Sequence, residues 1–289
     1  MKNNLSRVIQ GCMNWGQWGS KLTADEMESL IHHNLEIGIS SFDHADIYGD
    51  YTTEQEFGRA FSNSGINRES IQLISKCGIQ YVGKTRDNKL KHYQYDAEYI
   101  IYSAEKSIKD LKADYLDVFL LHRPSPLMHP DEISKAVEVL LNHGKIKSFG
   151  VSNFTNSQYE LISNKSELYV NQIEFSLTHN NPLFDSSLDH MMTNKIMPMA
   201  WSPLGGIFKN DNSKNQRIHL LLDKLAIKYK ASKDQLLLSW ILKHPSKIYP
   251  VIGTVKKERI KASFESQKIE LSEVDWFRML EESLGHKLP

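Results

Sequence analysis

The sequence has little of three things, and each shortage excludes a class of protein. Only two of its 289 residues are cysteines, Cys12 and Cys77, which excludes a disulfide framework. No apolar run approaches the roughly 18 residues of a membrane-spanning helix, and the first ten residues lack the apolar segment of a signal peptide. Positive and negative side chains balance at 35 each, so no net charge attracts nucleic acid or membranes. We therefore predict a soluble, reduced, cytoplasmic protein.

Eight strand-like runs are present, and most are followed by a helix-like segment. The runs cover residues 7–12, 40–43, 71–78, 115–122, 146–153, 169–176, 196–203 and 248–253. Such alternation is typical of parallel strands joined by right-handed crossovers, and eight units close into a (β/α)8 TIM barrel. An open doubly wound sheet is the alternative, but its G-x-G-x-x-G turn is missing after the first strand. We predict one α/β barrel domain over residues 1–289, with two extra helices, one before the eighth strand and one at the C-terminus.

Polar side chains stand where the second, third and fourth strands end, which is where parallel barrels carry their functional groups. These are Asp43, Lys76 and His122, and Tyr48 follows in the loop after the second strand. Side chains alternate along a strand, so if Asp43 and Lys76 face the barrel axis, Cys77 faces the helices. We therefore expect four polar groups to converge at one barrel mouth and Cys77 to be a buried core thiol.

Aromatic side chains are frequent in the loops predicted near this mouth. Trp15 and Trp18 follow the first strand, and Tyr81 and Tyr93 lie in the long stretch 79–95 after the third. Loops of that length in a compact domain are usually functional or disordered. These four rings either form a substrate pocket or simply pack the loops, and the sequence leaves both interpretations open.

Six short motifs occur in a fixed order and spacing: SFDHADIYG, LISKCG, LLHRP, GVSNF, NQIE and AWSPLGG. Together they resemble the aldo-keto reductase family over residues 11 to about 263. The resemblance implies an NADPH-dependent oxidoreductase that reduces aldehyde or ketone carbonyls to alcohols. It also implies a catalytic set of Asp43, Tyr48, Lys76 and His122.

The chemistry of these four groups is consistent with that role. Hydride arriving at a carbonyl carbon leaves an oxyanion that needs a proton, but a phenol with a pKa of about 10 is a weak acid near neutrality. Lys76 beside Tyr48 would favour the phenolate, and lowering the pKa from about 10 to about 7 corresponds to about 4 kcal/mol. Asp43 would neutralise the buried Lys76, and His122 would orient the substrate oxygen. We expect Tyr48 to be the general acid, with a lowered pKa.

The same resemblance implies nine cofactor contacts. Those expected around the nicotinamide are Ser152, Asn153, Gln172 and Trp201, and those expected along the phosphates are Ser202, Leu204, Gly205, Thr254 and Arg259. The aromatic Trp201 offers a flat apolar face to the ring, and glycine permits close backbone approach. The loop 205–216 is predicted to be mobile and to fold over the cofactor.

The segment after the eighth strand matches the family's adenosine-phosphate site only in part. Arg259 suits a 2′-phosphate. Gly253 stands where a lysine is common, and Ala262 and Ser263 stand where Glu–Asn is common. Lys256 and Lys257 are expected to compensate, so NADPH is predicted to be preferred over NADH.

Two other functions are alternatives to the NADPH-dependent carbonyl reductase. The first is an NADPH-binding regulatory or redox-sensing subunit on the same fold, since fold alone does not fix function. The second is a metal-assisted hydrolase using His44, Asp46 and His122, because H-x-D occurs in metal sites. No further cluster of His or Asp at the strand ends supports a metal, so none is predicted. A monomer is expected, because no heptad seam or exposed apolar stripe is visible.

Overall fold

The computed structural model describes residues 5–288 and contains a closed barrel of eight parallel strands. The described residues form ten strands, of which β4 and β5 make a separate hairpin and the other eight make the barrel. In chain order they are β1 (Ile9–Gly11), β2 (Ser41–Asp43), β3 (Gln72–Cys77), β4 (Ile79–Gln80), β5 (His92–Tyr93), β6 (Val118–Leu121), β7 (Phe149–Ser152), β8 (Val170–Glu174), β9 (Met197–Trp201) and β10 (Tyr249–Ile252). Around the barrel the order is β1, β10, β9, β8, β7, β6, β3, β2, and β2 pairs with β1 to close it. The predicted (β/α)8 fold is confirmed.

Ten α-helices surround the strands in the described part of the chain. They are α1 (Ala24–Ile37), α2 (Thr53–Asn63), α3 (Ala97–Asp110), α4 (Pro130–Asn142), α5 (Asn156–Ser163), α6 (Ser187–Thr193), α7 (Ser213–Tyr229), α8 (Lys233–Leu242), α9 (Lys257–Glu265) and α10 (Glu273–Leu284). The connection from β9 to β10 holds two helices, and α10 packs on α7 after the last crossover helix. Both predicted extra helices are therefore present. Within residues 5–288, no helix combines the length and apolarity needed to span a membrane.

Local sequence signals set several helix ends. Thr23 caps α1 by accepting from the backbone of Glu26, whose side chain in turn accepts from the Thr23 N–H. The same helix ends at Gly38, whose φ of 96° is the left-handed conformation that favours glycine. Pro130 occupies the first turn of α4, where its missing N–H costs nothing. These ends determine where the chain leaves each helix and returns to the barrel.

The apolar core has two layers, separated by the strands. The inner layer fills the barrel with Leu5, Ile9, Ile74, Val118, Leu120, Val170, Met199 and Val251. The outer layer lies between strands and helices and contains Phe42 and Cys77. Because residues alternate along a strand, Asp43 and Lys76 are thereby directed to the axis. The prediction of Cys77 as a core thiol is confirmed, and both cysteines are buried and unpaired.

The strand register brings the functional ends to one mouth. Asp43 lies opposite Ile74 of β3, two residues before Lys76. Ser152 lies opposite Gln172, and Trp201 closes β9 opposite the last residue of β8. Directly after β3, the antiparallel hairpin β4–β5 rises beside this mouth, a feature that the sequence indicated only as a long loop.

Candidate active site

A buried ammonium forms the centre of the barrel mouth. Lys76 Nζ donates to Asp43 Oδ2 at 2.8 Å, to the Tyr48 hydroxyl at 3.1 Å and to the main-chain oxygen of His44 at 2.7 Å. The lysine has no exposed surface, and Tyr48 is 9 % exposed. An ammonium has three donor positions, so all three are used in this site. Burial of the charge is thus compensated by a carboxylate and two neutral oxygens.

The charges in this cluster are coupled. Burial alone would lower the pKa of Lys76, but the Asp43 carboxylate and the Tyr48 phenol raise it above its ordinary value. For Tyr48, burial raises the pKa above 10.0, and Lys76 opposes this shift without cancelling it. The expected net lowering of the Tyr48 pKa is therefore wrong, because the removal of the phenol from water outweighs one cation in contact. Tyr48 is a neutral phenol, a proton donor, at neutral pH.

His122 closes the other side of the mouth as a neutral imidazole. Its ring centroid lies 6.0 Å from that of Tyr48 in an edge-to-face arrangement. Burial, helped by the nearby charges of Lys76, Arg123 and Lys91, holds the pKa of His122 well below its usual range. Its Nδ1 is buried without a hydrogen-bond partner. A proton on Nε2 leaves only a lone pair unsatisfied at Nδ1, so Nε2 is the donor available to a substrate oxygen.

A hydrogen-bonded floor joins the ends of β7, β8 and β9. Asn153 Nδ2 donates to Ser152 Oγ at 2.7 Å, and the indole of Trp201 donates to Asn153 Oδ1 at 2.9 Å. Gln172 donates through Nε2 to Asp43 Oδ1 at 2.9 Å. Ser152 Oγ donates to the main-chain oxygen of Gln172 at 2.9 Å, so the floor is continuous with the Lys76–Asp43 ion pair through Gln172.

A cavity of about 980 Å³ extends from this mouth across the barrel top. Its lining includes Asp43, Tyr48 and His122, with Lys76 directly behind Tyr48. All nine residues expected to contact a cofactor also line it: Ser152, Asn153, Gln172, Trp201, Ser202, Leu204, Gly205, Thr254 and Arg259. Gly205 has a φ of 56°, and a Cβ there would overlap Thr178 Oγ1, so this turn favours glycine.

The far end of the cavity differs from expectation in its lysines. Lys257 donates to Ser29 of α1 at 2.7 Å, and neither it nor Lys256 lines the cavity. Lys209 and Lys233 line it instead, together with Arg259. The expected compensation by Lys256 and Lys257 is therefore not observed, because α9 begins at Lys257 and turns that side chain toward α1. The two lysines found here come from the loop after β9 and the start of α8.

The four aromatic residues weighed for a substrate pocket divide into two pairs. Trp18 and Tyr81 line the cavity, with ring centroids 5.1 Å apart. The prediction of Trp15 as a pocket residue is wrong, because its ring is fully buried and its centroid lies 5.7 Å from that of Phe57. The same prediction for Tyr93 is also wrong, because Tyr93 pairs with Ile79 in the hairpin and packs there instead of lining the cavity.

His44 and Asp46 do not form a metal site with His122. The His44 ring packs edge-on against Phe57 with centroids 4.4 Å apart, and burial lowers its pKa to about 3. Within residues 5–288, no three His, Cys, Asp or Glu side chains are grouped so as to hold a metal ion. His44 contributes its main-chain oxygen to Lys76 instead of its ring. The geometry gives the metal-assisted hydrolase no support.

A second pair of buried acids lies behind the site. Both carboxylate oxygens of Asp46 are buried without a hydrogen-bond partner, and burial with the neighbouring Glu54 raises its pKa to about 8. Burial likewise raises the pKa of Glu54 to about 7, although Ser75 donates a hydrogen bond to it. The burial of this pair was not predicted from the sequence, which offered Asp46 only as a candidate metal ligand, because residue type alone does not reveal that an acid will be buried.

This pair predicts a pH dependence of stability. A carboxyl with a raised folded pKa costs stability as pH rises from its unfolded value of 3.8 to its folded value of about 8. Asp46→Asn removes this cost, so its advantage in unfolding free energy over the wild type should grow by about 2–3 kcal/mol between pH 6 and pH 8. Denaturant unfolding at the two pH values measures this difference. Asp87→Asn, at a side chain 87 % exposed, is the control and should follow the wild type; parallel curves for Asp46→Asn would contradict the assignment.

Fold and mouth together define a parallel (β/α)8 barrel whose mouth holds a lysine–carboxylate pair bonded to a phenol. Comparison with known proteins identifies one family. The model of the aldo/keto reductase family matches residues 7–282. The chain is 37 % identical over 290 residues to the uncharacterized oxidoreductase YcsN of Bacillus subtilis, covering 98 % of this chain and 96 % of that protein. It is 32 % identical over 292 residues to a 6-dehydroglucose reductase of Agrobacterium fabrum, covering 99 % and 97 %.

A solved structure gives the same result for the fold. The thermostable aldo-keto reductase Tm1743, in complex with the inhibitor epalrestat, superimposes with a TM-score of 0.81 at 24 % identity, covering 96 % of this chain and 95 % of that one. The protein belongs to the aldo/keto reductase family. It is therefore an oxidoreductase of that family.

Proposed function

We propose that this protein is an NADPH-dependent reductase of aldehydes or ketones, with Tyr48 as general acid. The observation that carries the proposal is the contact of Lys76 Nζ with both the Asp43 carboxylate and the Tyr48 hydroxyl at the mouth of the cavity. The names of the family and of the Agrobacterium relative support carbonyl reduction. Buried free thiols suit a reducing cytoplasm, and we propose a cytoplasmic monomer.

Each of the four residues has a distinct part in the proposed reaction. Tyr48 gives its proton to the oxygen that becomes negative, and Lys76 stabilises the phenolate that remains. Asp43 balances the lysine charge, so the buried cation does not destabilise the fold. His122 donates from Nε2 to the same substrate oxygen and holds the carbonyl in place before transfer.

The cavity donors fit a nicotinamide dinucleotide. Amide and hydroxyl groups of Ser152, Asn153 and Gln172 match a carboxamide, the Trp201 ring offers a flat face, and basic side chains stand at the opposite end. When bound, the nicotinamide supplies the hydride to the carbonyl carbon. The protein's own contribution is to fix the ring against the substrate and to exclude water.

The test of this function is a stopped-flow measurement of NADPH absorbance with a panel of aldehydes. Repeated turnover at enzymatic rates supports the reductase. A slow single oxidation, or none, would favour the regulatory or redox-sensing subunit instead.

Selectivity for NADPH is expected to depend on Arg259. A guanidinium pairs with a 2′-phosphate through charge-assisted bonds, so Arg259→Gln should reduce the ratio of NADPH to NADH affinity roughly 10–100-fold. Equilibrium titrations of both cofactors provide the ratio. Lys261→Gln removes a positive charge from the same helix at a position outside the cavity lining and should leave it unchanged. Equal affinities of the wild type for both cofactors would refute the preference.

A further inference from the structure

Two positive side chains at the substrate end of the cavity have no negative partner. Arg123 follows His122 directly, and Lys91 stands in the hairpin loop just before β5. Both line the cavity, as do Tyr81 and Trp18. Among residues 5–288, neither forms an ion pair with an acidic side chain.

The acids of the same cavity do not balance them. Asp43 is already neutralised by Lys76. Asp234 lies beside Gln235, whose amide donates to the main-chain oxygen of Ala262, so it belongs to the phosphate end. The substrate end therefore carries an uncompensated positive charge, which in a partly dehydrated cleft attracts an anion.

The main chain of Arg123 is held in this position by Tyr95, and its side chain lies near Trp201. The Tyr95 hydroxyl donates to the main-chain oxygen of Arg123 at 2.5 Å and accepts from its N–H at 3.2 Å. The guanidinium carbon lies 5.3 Å from the centroid of the Trp201 ring. No side-chain hydrogen bond occupies its five N–H groups among the described residues. A planar fork with free donors is the arrangement that binds a carboxylate through two parallel bonds.

The positive charges of Arg123 and Lys91 also act on His122. After burial and Lys76, Arg123 and Lys91 are the groups that hold the pKa of His122 low. They are therefore close enough to influence the ring that faces the substrate oxygen. An anion bound to Arg123 would therefore lie in the same cavity as the His122 ring.

We propose that the preferred substrate is an aldehyde or ketone that carries a carboxylate, bound by the Arg123 fork with Lys91 adding charge. The inference rests on the proposed reductase function and deepens it. It assigns to Arg123 the choice among carbonyl compounds, separately from the chemistry carried by Tyr48.

The experiment compares 4-carboxybenzaldehyde with its methyl ester, which has nearly the same shape without the charge. We expect kcat/KM for the acid to exceed that for the ester at least 10-fold, and Arg123→Gln to reduce this ratio at least 10-fold. Lys91→Gln should reduce it less, and added salt should reduce it in the wild type. Lys89→Gln, two residues along the same loop and paired with Asp87, is the control and should keep the ratio.

Two results would overturn the proposal. One is a wild-type ratio near or below one. The other is an equal loss for acid and ester in Arg123→Gln, which would make Arg123 a support for Trp201. Arg123→Lys separates the two roles, because it keeps the charge: it should retain part of the preference for the acid if the charge selects the substrate.

Binding distinguishes failure of this proposal from failure of the proposed function. If no aldehyde oxidises NADPH, the reductase assignment fails, but the anion site is still tested by titrating 4-carboxybenzyl alcohol and its methyl ester into the protein, followed by tryptophan fluorescence. Arg123→Gln should weaken binding of the acid about 10-fold more than that of the ester. Equal affinities of the wild-type protein for both would reject the carboxylate site.

Discussion

Tyr48→Phe should reduce carbonyl reduction by at least about 1,000-fold while NADPH still binds. The variant removes the hydroxyl that accepts from Lys76 Nζ and leaves the ring in place. General acid catalysis contributes on the order of 10²–10⁴-fold, so losing the acid has a large effect on kcat. Steady-state kinetics with an aldehyde and a fluorescence titration of NADPH measure the two properties separately.

The control for this variant lies three residues away. Tyr51→Phe removes a phenol from the same loop, one that donates to the Ile79 carbonyl and accepts from the Tyr81 N–H, outside the cavity lining. Its turnover should stay within about threefold of the wild type, since a lost neutral hydrogen bond costs only about 1 kcal/mol of stability. Reduction by Tyr48→Phe at rates close to the wild type would remove the basis for the proposed mechanism.

Asp43→Asn should destabilise the protein by about 3–5 kcal/mol, besides abolishing turnover. Lys76 has no exposed surface, and without Asp43 it becomes a buried cation with no counter-charge. The double variant Asp43→Asn with Lys76→Met removes both charges, so most of the lost stability should return while turnover does not. Denaturant unfolding and aldehyde reduction measure the two effects on the same three proteins.

The exposed pair Lys89–Asp87 provides the comparison. Both side chains are more than 80 % exposed, at 82 % and 87 %, and such pairs contribute at most about 1 kcal/mol. Asp87→Asn should therefore leave stability nearly unchanged. If Asp43→Asn behaved like Asp87→Asn, the lysine would be hydrated in solution, and the view of a buried cation neutralised by a carboxylate would have to be abandoned.

Residues at strand ends could be placed from the sequence because two regular rules determine them. Alternation along β3 separates Lys76 from Cys77, and the parallel order of the barrel gathers all strand ends at one mouth. The nine residues carried over by family resemblance also line the cavity, and most of them stand at or just after strand ends; Arg259, which lies within α9, is an exception. Where a residue's position follows from backbone periodicity, the sequence is sufficient to predict that position.

Properties that depend on the whole surroundings could not be predicted. The pKa of Tyr48 is raised because burial outweighs Lys76, and sequence spacing measures neither burial nor its energy. Trp15 enters the core because its loop turns back over Phe57, which no local pattern records. Arg123 is part of the LLHRP motif, but its lack of an acidic partner depends on where the acids of the cavity lie in the folded chain.

Gln172 has a consequence for how the two halves of the site influence each other. Its amide N–H is committed to Asp43, and the rest of the same side chain faces the cavity floor. A molecule that engages this amide therefore alters the electrostatic setting of Lys76 and, through it, the acidity of Tyr48. Thermodynamic linkage makes the relation reciprocal, so the ionisation of the phenol must alter, by the same free energy, the affinity of the floor for its occupant.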